Sequence, residues 1–292
     1  MINLHELAYV RIGTQELDTQ IDFAQRIVGL ELIERTDTSA SFRADDRHHV
    51  VQFELGEPRA LSSAFQLRDE AELAAAEEYL LGQGIEIHRG TDAECAHRHV
   101  RAMISFRDTG NNVVELVAGM TMLQSRPVSF TRPAGITEFG HIGLEVPDTK
   151  EGQEFWCRHF SNMQVSDWIG TNACLMRFDP VHHKLALFRD DTGLGHVNFQ
   201  VGSLDDVMRS WNFLRRHGVP ILMGPGRHPQ STAIFLYFTG PEGVTWEYSH
   251  GVREIHPDEN WVPRRFDPAE PDFIDMWQGA VVDGPTWAEA HS

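Results

Sequence analysis

Three residues carry types that could do chemistry together: His141 in "FGHIGLEV", His196 in "GHVNF" and Glu247 in "TWEY". Each falls in a short alternating or branched-rich stretch that reads as a β-strand. Two neutral imidazoles and one carboxylate form a facial set of donors. Such a set holds a divalent metal from one side and leaves positions open, as a non-haem Fe(II) oxygenase requires. Spacing alone does not make the three converge, and three unrelated half-buried side chains would read the same.

A long internal repeat bears on that choice. "HELAYVRIG" (5–13) aligns with "TEFGHIGLE" (137–145), "SSAFQL" (62–67) with "HVNFQV" (196–201), and "GNNVVELV" (110–117) with "EGVTWEYS" (242–249). Tyr9 then faces His141, Ser62 faces His196 and Glu115 faces Glu247, at offsets of 132, 134 and 132 positions. A near-constant offset over a hundred residues implies duplication of a whole domain. Equivalent positions should converge in both copies, but only the second offers imidazoles. With 16 histidines in 292 residues, two at such equivalent places are not expected from composition alone.

The elements that must position these residues follow the same rhythm. Each copy reads as two strand-helix-strand-strand-strand units, an α+β fold. "TKEGQEFWCRHF" reads as a helix with Phe155, Trp156, His159 and Phe160 on one side. "SLDDVMRSWNFLRRHG" reads as an amphipathic helix, with Ser203 capping it and Gly218 ending it. Leu204, Val207, Met208, Trp211 and Leu214 form its apolar face. These boundaries give a first domain at 1–121, a Pro- and Ser-containing linker at 122–136, a second domain at 137–250 and an irregular tail at 251–292. Trp261 and Phe266 in the tail are expected to pack over the second domain.

Composition narrows the function class. A net charge of −18 disfavours phosphate backbones and acidic membrane surfaces, so neither a nucleic acid nor a membrane is an expected partner. No apolar run reaches the roughly 18 residues of a bilayer span. Three cysteines without a CxxC, and an N-terminus unlike a secretory signal, fit a cytoplasmic location.

Several other residues invite a chemical reading. The doublet His182–His183 is matched by His48–His49 in the first copy, which reads as inherited structure, as does Glu115. His182 reads as a bystander facing away from His183. His97 and His99 have a ligand-like spacing without a visible partner, Cys95 reads as their neighbour and not as a ligand, and Arg264 and Arg265 read as solvated charges or as a clamp for a substrate carboxylate.

The stretch "GRHPQSTAIFLYFTGPEGVTWE" (226–247) carries a resemblance. With Gly226, His228, Leu236, Tyr237, Pro241, Gly243 and Glu247 in place, it resembles the signature of two-domain type I extradiol dioxygenases of the vicinal oxygen chelate superfamily. Gly240 departs from it, in the turn and away from the ligands. The resemblance covers residues 4–250. It implies two tandem domains whose paired βαβββ units form cup-like sheets, with metal only in the second. It implies Fe(II), or Mn(II), on His141, His196 and Glu247. It implies that His183 in "HKLAL" moves protons, that Tyr237 hydrogen-bonds a substrate oxygen and that His228 contacts an ionised one. The implied reaction inserts both atoms of O2 into a substituted catechol with meta cleavage, in a protein that assembles into a homo-oligomer. A glyoxalase-like lyase or isomerase, and a metal-free ligand-sequestering protein, are the alternatives on the same fold.

Overall fold

The structure, a computed structural model, describes residues 1–278. The part of the expected tail beyond 278 lies outside the described residues. Two sheets carry the fold, one of eight strands and one of nine. In the second, Ile136–Val146 and Gly193–Val201 lie antiparallel at the centre. Leu185–Arg189 runs parallel beside the first of these, and Thr245–His250 parallel beside the second. Ala173–Arg177 and Gln164–Ile169 continue one wing; Ile234–Thr239 and Ile221–Arg227 continue the other. Each wing is one βαβββ unit, whose last strand returns beside its first.

The first sheet repeats this plan. Glu6–Thr14 and Arg59–Gln66 are its central antiparallel pair, flanked in parallel by Val51–Leu55 and Val113–Ala118. The second sheet has one addition: Arg264–Phe266 from the tail pairs with Gln164–Ile169 and covers that edge. The tail is therefore partly sheet.

The helices form where the sequence provides caps. Asp148 accepts hydrogen bonds from the backbone N–H groups of Lys150 and Glu151 and starts Thr149–His159. Ser203 accepts from the N–H of Asp206 and starts Leu204–Arg216. That helix buries Val207, Ser210 and Leu214, while Leu204 and Met208 stay about 40% exposed. Its buried face is thus narrower than the apolar pattern implies, because it covers only its own sheet.

Central strands that alternate in sequence are buried on both faces: residues 139–144 are all buried. One face looks into the second domain's cavity and the other into a core shared by both domains. Trp156 is fully buried there, 5.2 Å from Phe65 of the first domain and stacked 4.8 Å from Phe160. Such a side chain is worth about 3–5 kcal/mol against alanine. The N–H of Ile2 donates to His159, and Glu242 accepts from the N–H of Gln15 at 2.9 Å. The linker is also fixed: Arg132 donates to the carbonyl of Ile27 at 2.9 Å and to the hydroxyl of Tyr248 at 2.7 Å. No helix among the described residues is long and apolar enough to cross a membrane.

Candidate metal centre

The central strand pair places His196 directly opposite Gly143, two residues beyond His141. Glu247 enters from the neighbouring parallel strand, opposite Asn198. His141 Nε2 lies 2.9 Å from His196 Nε2 and 3.0 Å from Glu247 Oε2, and His196 Nε2 lies 3.4 Å from the same oxygen. All three residues are buried. Gly143 makes room for this: a Cβ there would meet His196 Nδ1 at 2.6 Å.

The donor set fits a divalent metal. Burial lowers the pKa of His141 to about 3, so its ring is neutral and offers a lone pair. Among the described residues, the neighbours of Glu247 that can donate to it, Tyr237 and Asn198, are uncharged, and no Lys or Arg pairs with it. Burial pushes this carboxyl above its usual value, against the pull of His196 and His228. A buried carboxylate is costly without a cation, and an ion held by the three side chains would supply one.

The expected partners gather around the same place. A cavity of about 250 Å³ is lined by His141, His196, His183, His228 and Tyr237, with Ile169, Leu175, Phe188, Leu222, Met223 and Ile274 as apolar walls. Glu145 and Asp190 also line it, and no Lys or Arg does among the described residues. The ring of His183 is 4.2 Å from that of His141. Tyr237 stands across the strand pair from Glu247, and burial followed by that charge holds its phenol well above the usual pKa. It is therefore a hydrogen-bond donor near neutrality. His228 Nδ1 is 2.7 Å from the carbonyl of Ile274 in the tail and Nε2 is 3.3 Å from the Tyr237 hydroxyl. Nδ1 must donate to that carbonyl, which leaves Nε2 of the neutral ring an acceptor. His228 can donate to an ionised substrate oxygen only after gaining a second proton, a condition that residue type alone does not reveal.

In the first domain the corresponding place is closed by protein cations. Tyr9 donates to Glu115 at 2.6 Å. Arg98 donates to both oxygens of Glu115 at 3.0 Å and 3.1 Å, and Arg11 donates at 3.0 Å. Arg11 pairs with Ser62 across the central strands, the position that Gly143 holds opposite His196. Arg11 thus occupies the space that the glycine leaves open.

Other expectations need correction. His182 is no bystander: it is fully buried, 2.9 Å from Asp167 and 3.1 Å from His183, in the segment before the strand Leu185–Arg189. Arg264 is exposed, as a solvated charge would be, with 43% of its side chain accessible, but it is also tied to buried Asp167, a pairing the sequence reading did not include. Arg265 lies over Trp168, 4.5 Å from its ring centre. His97 and His99 do have partners, Glu54 at 3.2 Å and Glu34 at 2.8 Å. Glu34, His48 and His99 form a second cluster of ligand types. The rings of His48 and His99 lie flat on one another, 3.4 Å apart and 13° from parallel, so their nitrogens run side by side and do not converge. Asp167 was missed in the sequence. Its signal was there: Glu34 sits 133 positions before it, so the carboxylate repeats along with the histidine doublet.

Comparison with known proteins agrees with this architecture. The Glyoxalase/Bleomycin resistance protein/Dioxygenase superfamily matches residues 6–116 and again 138–248. A 1,2-dihydroxynaphthalene dioxygenase of Sphingobium xenophagum is 24% identical over 90% of this chain and 94% of its own length. An iron-dependent extradiol dioxygenase of Rhodococcus jostii is 25% identical, covering 94% of this chain and 97% of the relative. Among solved structures, a halotolerant catechol dioxygenase superposes with a TM-score of 0.86 at 23% identity, covering 99% of this chain and 97% of its own. A Mn(II)-bound glyoxalase from Novosphingobium aromaticivorans superposes with a TM-score of 0.87 at 25% identity, covering 98% and 94%.

Proposed function

The chain belongs to the Glyoxalase/Bleomycin resistance protein/Dioxygenase superfamily, and from that premise we propose that it is an extradiol dioxygenase. It opens the ring of a catechol beside its two hydroxyls, using both atoms of O2. The carrying observation is one cavity that combines His141, His196 and Glu247 with His183, His228 and Tyr237. Full-length similarity to ring-cleaving dioxygenases supports the same reading.

The three ligands would hold Fe(II), the metal named for the Rhodococcus relative, with Mn(II) as the second fit to the same N/O donors. A bound ion of this kind supplies the redox and Lewis-acid chemistry that brings O2 and the diol together. The chain's own residues do the rest. His183 takes a proton from a substrate hydroxyl and returns one as the ring opens, work suited to a neutral imidazole. Tyr237 donates a hydrogen bond to a substrate oxygen. His228, once protonated at Nε2, does the same for the ionised one. The apolar walls take the aromatic ring and keep water from it.

The lining also favours a substrate class. With Glu145 and Asp190 present and no cation among the described lining residues, a carboxylate-bearing catechol is repelled. A neutral 3-substituted or bicyclic catechol fits the apolar walls.

A glyoxalase-like isomerase is the second reading, because the Novosphingobium structure aligns along nearly the whole chain. One experiment separates the two. The protein is purified anaerobically, loaded with Fe(II) or with Mn(II), and given catechols with O2 or a thiol hemithioacetal without it. Yellow ring-opened product with O2 uptake supports the dioxygenase; thioester formation alone rejects it.

A further inference from the structure

We propose that His182, Asp167 and Arg264 are positioning residues that lock His183 into one tautomer, with its proton on Nδ1 and a bare Nε2 toward the cavity. The inference rests on the reading of His183 as the proton-transfer residue, but the tautomer can be measured without it.

The chain of hydrogen bonds leaves little choice. Asp167 is fully buried and accepts at Oδ1 from the Arg264 backbone N–H at 2.7 Å and at Oδ2 from its guanidinium at 2.6 Å. Burial alone would raise its carboxyl, but the hydrogen bonds from His182 and from the Arg264 guanidinium and backbone N–H hold it below the usual value. An ionised carboxylate only accepts, so His182 must place its proton on Nε2, 2.9 Å from Asp167 Oδ2. The Nδ1 of His182 is then an acceptor. It faces His183 Nδ1 at 3.1 Å, so that nitrogen must carry the proton. What remains for the cavity is the lone pair on His183 Nε2, which can accept a proton from a hydroxyl at once.

The first domain has the same residue types without the same device. Its doublet meets through Nδ1 at 3.2 Å, as in the second domain. But Glu34, the counterpart of Asp167, is 44% exposed at its side chain and turns to His99. Among the described residues, no strand corresponding to Arg264–Phe266 covers that edge. The Nε2 of His49 is buried and has no hydrogen-bond partner among the described residues. The complete relay therefore accompanies only the copy with the metal ligands. It also gives the tail strand a task, that of fixing the anion at the far end.

The test is nitrogen NMR of the 15N-histidine-labelled, zinc-loaded protein, with the His183 signal assigned by its loss in His183→Ala. The expected wild-type pattern is His183 protonated on Nδ1 and His182 on Nε2. His182→Phe should mix the tautomers of His183 and lower kcat about 10²-fold, with KM for the catechol and metal content unchanged. His182→Gln keeps an acceptor oxygen and should restore both. A wild-type His183 protonated on Nε2 overturns the proposal, whatever the variants do. So does a His182→Phe protein whose tautomer and kcat are unaltered. If no catechol is turned over at all, the proposed function fails while the spectrum still decides the relay.

Discussion

The two domains share a topology and differ in how each treats one buried glutamate. Glu115 is neutralised from within by Arg11 and Arg98 and takes a further hydrogen bond from Tyr9. Among the described residues Glu247 meets imidazoles, a phenol and the Asn198 amide, with no Lys or Arg beside it. The first arrangement is complete without a ligand and the second is complete only with a cation. Duplication thus gave one copy whose buried carboxylate is balanced by arginines and one whose carboxylate faces histidines of ligand type. The difference lies at a few positions: tyrosine for histidine, serine for histidine and arginine for glycine.

Breaking the second centre should have the largest effect. Glu247→Ala should remove metal binding by more than the 10–100-fold associated with outer partners of a site, and ring cleavage with it. Metal analysis and a catechol assay measure this. The matching change in the first domain, Glu115→Gln, should leave metal content alone. It should cost about 3 kcal/mol of stability, because Arg98 stays buried without its carboxylate while Arg11 keeps only Glu54; denaturant unfolding reads that loss.

The same glutamate sharpens the contrast through pH. Burial alone would raise Glu115, but Arg98 and Arg11 outweigh it and hold the carboxyl below its usual value. A depressed folded pKa gives stability that is complete above the unfolded value of about 4.3 and lost as pH falls through the folded one. The stability gap between wild type and Glu115→Gln should therefore shrink as pH is lowered from 7 toward 3. A constant gap would mean that the ion pairs do not carry it.

Gly143→Ala should have a smaller effect than removing a ligand. Its Cβ would meet His196 Nδ1 at 2.6 Å and tilt the ring, so metal affinity should fall about tenfold, within the range for disturbed outer positions. The smallest contrast concerns substrate. Neutral 3-substituted catechols should exceed carboxylate-bearing ones in kcat/KM by about tenfold or more, because Glu145 and Asp190 line the cavity.

Much of this was legible in the sequence, for a physical reason. A duplicated fold must reuse its strand positions, so the repeat exposed the architecture and the three candidate ligands together. Tyr9 and Ser62 marked the copy without imidazoles. What closes that copy was not legible, because Arg98 reaches Glu115 from a loop whose path depends on the folded chain. The role of His182 was hidden likewise: Asp167 and Arg264 are 97 positions apart and meet only when the tail joins the sheet edge. The proton on His228 depends on the carbonyl of Ile274, a backbone atom with no signature in residue type.

One copy should hold a metal and the other should not. Metal content per chain, after anaerobic loading with Fe(II) or Mn(II) and removal of loose ions, tests it most directly in wild type, His196→Ala and Glu115→Gln. One ion per chain is expected in wild type and in Glu115→Gln, and none in His196→Ala. Two ions per chain in wild type, or one retained by His196→Ala, would contradict it.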